Sequence, residues 1–311
     1  MNTSLYLSLA RAARPLFSLP YPKSWAAFHF LVNRDDRKHH WNDEPVLWTK
    51  SKSNGFEIPC DLSVFSGRIA WYFRHWYELA TESVIQSLLP KGGTFIDIGG
   101  NVGMATLAAR KAVGPDGRIF AFEPNPQVAD IFAASIAYNG LDNVTLTRKA
   151  VGPETRRADF FVPDENHGEA QIGDPQTDRP GKRFQVDVTD TSMLEELDHI
   201  DLIKIDVEGF EYSVLQALET IMQKQRPIVV CELMGEHLKR SDTTPQAVLE
   251  LVQNRGYWAL RIETANASLT RQKAKLLPLE KAADDISCNA LFVPSEAVEG
   301  VMKQDFIALP K

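Results

Sequence analysis

The stretch TFIDIGGNVG, residues 94–103, constrains this chain more than any other. Thr94, Phe95, Ile96 and Ile98 have the β-branched and aromatic character of a buried parallel strand, and the following run, MATLAARKAV, carries apolar residues at helical spacing. Strand, glycine turn and helix therefore follow one another directly. At such a turn the helix N-terminus directs unpaired N–H groups at a ligand, and residues without a bulky Cβ let the backbone approach it. A dinucleotide fingerprint needs G-x-G-x-x-G, but counting from Gly99 puts Asn101 and Met104 where the second and third glycines belong. What stands here is D-x-G-x-x-x-G, from Asp97, Gly99 and Gly103, followed by a second strand, RIFAFE, that ends in Glu123. A carboxylate at that position can accept both hydroxyls of a ribose, so turn and acid together predict a nucleoside site. The plainer reading is an ordinary βαβ unit with a solvated glutamate.

The alternation continues down the chain. Helical patterns at 82–89, 127–138 and 245–254 separate strands expected at 144–147, 201–206 and 228–233, and two last strands are expected at 257–262 and 289–293 with a charged loop between them. Strands alternating with helices mean an α/β fold, a doubly wound parallel sheet. Strands at 157–162 and 183–188 flank a loop, residues 163–181, rich in Pro, Gly and Asp. A loop of that length in a compact domain is usually functional, and His167 within it is a candidate general base if the loop closes over the site.

Ahead of this unit, residues 46–65 read as short strands around a turn at Ser53, Asn54 and Gly55, and Trp71, Tyr72, Phe73, Trp76 and Tyr77 crowd in before Glu78. The aromatics read as a packed cap, with Glu78 placed to reach the amino-acid end of a cofactor. Residues 1–34 hold Arg11, Arg14 and Lys23 among leucines and no acid. They read as a helix packed on the domain, with a membrane-surface helix or transit peptide as the alternatives. The expected division is an N-terminal α/β extension and aromatic cap at 1–80, the main domain at 81–294 and a tail at 295–311. A net charge of −7 argues against a general nucleic-acid binder, and no stretch reaches transmembrane length. Cys60, Cys231 and Cys288 have no C-x-x-C spacing, which fits a reduced, cytoplasmic chain.

The second concentration of chemistry is KIDVEGFE, residues 204–211, with Glu232 one strand over. Period two puts Lys204 and Asp206 on one strand face, leaving Ile203 and Ile205 on the other. A Lys and an Asp in a central strand need partners or a purpose: either an internal salt bridge, or a place in the crevice at the strand ends, where Asp206, Glu208 and Glu232 would converge with Gly99 and Glu123.

FIDIGGNVG, AFEPNP, NGLDNVTLTRKAVG, IKIDVEGFE and RPIVVCEL together resemble the FkbM-type S-adenosylmethionine-dependent methyltransferases, over residues 77–293. The resemblance implies a seven-stranded, Rossmann-like methyltransferase sheet with the last strand antiparallel, and O-methylation of a sugar, glycan or other small hydroxyl-bearing metabolite. It implies that Asp97, Gly99, Asn101 and Gly103 hold the methionine end of S-adenosyl-L-methionine, that Glu123 takes the ribose, and that Asn125 and Ala150 lie near the adenine. From their position alone, Asp206 and Glu208, beside Lys204, would orient and deprotonate the acceptor. Mg²⁺ on the three carboxylates is the alternative to a metal-free base, which is preferred. A nucleotide-dependent oxidoreductase and a binding protein without turnover are the competing readings.

Overall fold

A computed structural model of the 311-residue chain describes residues 3–18, 28–33, 40–41, 45–164, 170–173, 180–268, 271–304 and 306–308. His167, the expected loop base, lies outside the described residues. Strands β1 (Leu47–Lys50) and β2 (Glu57–Cys60) make an antiparallel pair. β3 (Thr94–Ile98), β4 (Arg118–Phe122) and β5 (Val144–Thr147) begin the main sheet. β6 (Ala150–Val151), β7 (Arg156–Pro163), β8 (Gln171–Ile172) and β9 (Gly181–Thr189) form a second sheet in the order β6-β9-β7-β8. β10 (Leu202–Ile205), β11 (Ile228–Met234), β12 (Tyr257–Ser268), β13 (Arg271–Pro278), β14 (Ser287–Pro294) and β15 (Phe306–Ala308) complete the main one.

The main sheet runs β5-β4-β3-β10-β11-β14-β12-β13-β15. The first five are mutually parallel and β14 is antiparallel to β11, so the stretch from β5 to β12 is the doubly wound, seven-stranded arrangement the sequence predicts. Two strands extend it to nine. The charged loop expected between β12 and β14 is instead largely strand, because Ala274 and Leu276 are buried while Lys275 between them is exposed, the alternation of a half-buried strand. The long loop at 163–181 also needs correction, since Gln171 and Ile172 pair with Phe161 and Phe160 as a short strand.

Chain order explains where a site must lie. From β3 the chain winds outward to β4 and β5, then returns to β10 and winds the other way to β11, which leaves a crevice beyond the carboxyl ends of β3 and β10. All of β3 and β10 is buried, and their two faces feed separate cores: Ile96, Ile98, Ile203 and Ile205 on one side, Phe95 and Leu202 on the other.

The N-terminal part packs onto this unit. Tyr6, Leu7 and Ala10 of the helix Thr3–Ala12 are buried in a cluster with Trp41, Tyr72 and Leu107, the last belonging to the helix Met104–Val113 of the glycine turn. Arg14 stacks on the Trp71 ring at 3.8 Å and donates to Thr49 Oγ1 at 2.6 Å. Among the described residues no helix is long and apolar enough to cross a membrane.

Candidate active site

The glycine turn after β3 is shaped by what it touches. Gly99 has φ +80°, and a Cβ there would come within 1.8 Å of the Asp206 carbonyl, so a side chain would force the ends of β3 and β10 apart. Beyond β4, Glu123 is fixed at both oxygens. The Asn101 N–H donates to Oε2 at 2.9 Å and the Asn125 N–H to Oε1 at 2.8 Å. Burial nevertheless pushes the Glu123 carboxyl up to about 7, outweighing those two donors. Asn125 itself caps the helix Pro126–Tyr138 by accepting from the Gln127 N–H, and its buried Nδ2 has no partner among the described residues.

Below the turn, Asp97 and Lys204 are register partners on adjacent strands, both buried. Thr106 Oγ1 donates to Asp97 Oδ2 at 2.6 Å, while Asp97 Oδ1 is buried without a partner among the described residues. Burial raises the Asp97 pKa, against the pull of Lys204. Lys204 Nζ donates to Asp206 Oδ2 at 2.7 Å. Burial alone would lower the Lys204 pKa, but Asp206, Glu78 and Asp97 raise it on balance, so the ammonium stays charged. The salt bridge weighed from sequence is thus present, and it stands in the crevice.

The turn that follows explains the spacing of KIDVEGFE. Glu211 Oε1 accepts from the N–H groups of Val207 at 3.1 Å and Gly209 at 3.0 Å, closing residues 207–211 into a fixed loop. Gly209 has φ +111°, and a Cβ there would lie 2.5 Å from the His237 carbonyl, so the loop packs directly on the segment after β11. This brings Glu208 Oε2 to 2.6 Å from His237 Nδ1. Burial would lower the imidazole's pKa, but Glu208 against it raises it overall. Glu232, on β11, is pushed up to about 11 by Asp206, then by burial and Glu208. One donor atom each from Glu208, Glu232 and His237 lie within 4.8 Å of one another. His237 went unread in the sequence. Its signal was its place, five residues past Glu232 at the carboxyl end of a central strand.

Two cavities meet here. The first, about 410 Å³, is lined by Gly99, Asn101, Glu123, Asn125, Ala150 and Asp206 among others, and it is walled by Val64 and Phe65 from the N-terminal part and by Ile172 of β8. The second, about 480 Å³, is lined by Glu78, Glu232, Arg261, Glu263 and Asn289 among others, and Tyr77 borders both. Glu78 was expected at the amino-acid end of a cofactor, yet it lines the second cavity and not the first. There Asn289 Nδ2 donates to its Oε1 at 3.0 Å, and burial raises its pKa.

In comparisons with known proteins, residues 97–258 match the methyltransferase FkbM domain. Methyltransferase sdnD of Sordaria araneosa is 25% identical over 235 residues, which span 66% of this chain and 82% of that protein. Methyltransferase 1 of Beauveria bassiana is 28% identical over 155 residues, 42% of this chain and 60% of its own length. A crystal structure of methyltransferase FkbM from Methylobacillus flagellatus aligns with a TM-score of 0.40 at 14% identity, over 74% of this chain and 51% of that one.

Proposed function

Since the chain belongs to the FkbM methyltransferase family, we propose that it is an S-adenosylmethionine-dependent O-methyltransferase acting on a hydroxyl of a sugar, glycan or other small metabolite. The observation that carries this reading is one cavity lined by the glycine turn, the doubly held Glu123 and the Lys204–Asp206 pair. Its volume, about 410 Å³, is in the usual range for a small-molecule site, and the buried Nδ2 of Asn125 at its wall, without a partner among the described residues, offers a donor to a base. Gly99 and Asn101, which line the cavity, would hold the methionine end, with Asp97 and Gly103, which do not line it, supporting the turn from behind; Glu123 would hold the ribose hydroxyls, and Asn125 and Ala150 the adenine.

When bound, S-adenosylmethionine supplies a methyl group already activated by its sulfonium. The chain's residues must therefore position the acceptor oxygen, exclude water and take one proton. Positioning can supply about 7 to 11 kcal/mol and a general base roughly a hundred- to ten-thousand-fold. Asp206 is the carboxylate for that proton, because it lines the cavity and is oriented by Lys204. Glu208, in the same wall, orients the acceptor. Three free cysteines accord with a reducing, cytoplasmic setting. Incubation with methyl-labelled cofactor and fractionated extract, followed by identification of the labelled product, tests the reading. Label on an oxygen of a small hydroxylated compound, lost with Asp206→Asn, is expected. Binding of S-adenosylhomocysteine without any labelled product would make the chain a binding protein instead.

A further inference from the structure

We infer that Glu208, Glu232 and His237 form a binding site for one divalent transition-metal ion, of the Mn²⁺ type, where the two cavities meet. The three donors come from separate elements: the loop closed by Glu211, the strand β11, and the helix Gly235–Arg240. Glu208 lines the first cavity and Glu232 the second, so an ion between them faces both. Donors on opposite sides of one ion, with bonds of about 2.0–2.2 Å, stand roughly 4.0–4.4 Å apart. The donors lie within 4.8 Å of one another, and the 2.6 Å Glu208–His237 pair would open to about 3 Å as the ion replaces the proton between them.

Charge points the same way. Lys204 donates its hydrogen bond to Asp206, while two carboxylates, Glu208 and Glu232, gather on one imidazole. Beside them Glu78 adds an independent sign: its Oε2 is buried with no hydrogen-bond partner among the described residues, while Asn289, the register partner of Glu232 on β14, holds the other oxygen. A buried acceptor left unmatched next to such a trio is a place where a cation is favoured. The nitrogen ligand selects the class of ion. Carboxylates alone suit Mg²⁺ or Ca²⁺, whereas an imidazole among them shifts the preference to Mn²⁺, Fe²⁺ or Zn²⁺. This differs from the Mg²⁺ site weighed from sequence, in which Asp206 was a ligand.

The ion's binding stands apart from methyl transfer, but its use rests on the O-methylation reading above. An alcohol holds its proton too tightly for a carboxylate to take it readily near neutral pH, and a metal ion lowers the pKa of an oxygen it contacts by several units. The acceptor O–H proton would then pass to Asp206, the oxygen's electron pair would form the O–CH₃ bond, and the C–S pair would return to sulfur.

Titration of the whole 311-residue chain with Mn²⁺, followed by electron paramagnetic resonance, tests the site. Expected are one ion per chain and a ¹⁴N coupling from His237 in the pulsed spectrum. His237→Gln and Glu232→Gln should each weaken binding at least about tenfold, while Asp206→Asn still takes up the ion. No saturable binding, a spectrum without ¹⁴N coupling, or affinities that ignore both variants would overturn the inference. If the variants fail to fold by circular dichroism, the ¹⁴N coupling of the unaltered protein alone decides. S-adenosylhomocysteine binding measured on the same samples separates the two readings. Cofactor bound without Mn²⁺ removes the metal site only, and Mn²⁺ bound without cofactor removes the cofactor reading only.

Discussion

Glu123 is a carboxylate pulled in two directions by its surroundings. Two backbone N–H groups favour its charged form, but burial outweighs them and sets its pKa at about 7. A ribose offers two O–H donors, which the ionised carboxylate accepts best, so cofactor binding and deprotonation are linked. Affinity for S-adenosylhomocysteine should therefore rise with pH through 7 and level off above 8, with about a tenfold loss per unit below 7. Calorimetry between pH 6 and 8 reads this directly, and Glu123→Gln should flatten the curve. An unaltered protein whose affinity is the same at both ends would leave Glu123 no part in ribose recognition. Glu123→Ala should weaken binding by about 1.5 to 3 kcal/mol, the range for a lost hydrogen bond to a charged group. Without ligand the sign is opposite. The folded-state pKa of about 7 lies above the ordinary 4.5, so this group's contribution to stability is complete below 4.5 and is lost as pH rises through 7.

At the scale of elements, the loop after β10 depends on a residue that touches no ligand. Glu211 binds two N–H groups of the loop, and burial sets its pKa at about 7. Glu211→Ala would leave both donors unmatched in a buried turn, at about 1–3 kcal/mol of stability. Thermal melts should show that loss, and catalysis should fall further than cofactor affinity, because Glu208 and Asp206 lose their fixed approach while Glu123 keeps its own. Equal stability in the variant would mean that the loop holds its shape by packing alone. KIDVEGFE was legible as chemistry because charged residues in a central strand are costly, and the strands around it were legible because their apolar runs are bounded by turn residues. The partnership of Glu208 with His237 was not, since it joins the loop after β10 to the helix after β11 and depends on Gly209 letting one backbone approach the other. Strand β13 was hidden for a local reason: its lysines suggested a loop, although Ala274 and Leu276 carry the period of two. The two strands flanking residues 163–181 were legible from their β-branched and aromatic residues. Their separation into a sheet of their own rests on pairings that no local pattern encodes.

Over the whole molecule, the N-terminal part and the doubly wound sheet share both a core and a cavity, and this dictates how the chain unfolds. Trp41, Phe28 and Tyr72 pack in one cluster with Leu107 and Leu141, which belong to the glycine-turn helix and the segment before β5. Val64 and Phe65 face the same cavity as Gly99 and Glu123. Removing the N-terminal part would uncover Leu107 and one cavity wall together, so the two should melt as one unit. A ligand at a hundred times its dissociation constant adds about 2.7 kcal/mol to the folded state, and for a chain of this size that raises the midpoint by several degrees at most. Differential scanning calorimetry with and without S-adenosylhomocysteine should give a single transition that moves as a whole. Trp41→Ala, which empties a fully buried site, should lower that midpoint by the equivalent of about 3–5 kcal/mol and leave the transition single. A separate early transition that responds to Trp41→Ala and ignores the ligand would sink the idea, because the N-terminal part would then be a detachable cover and the cavity wall at Val64 would be no fixed part of the site.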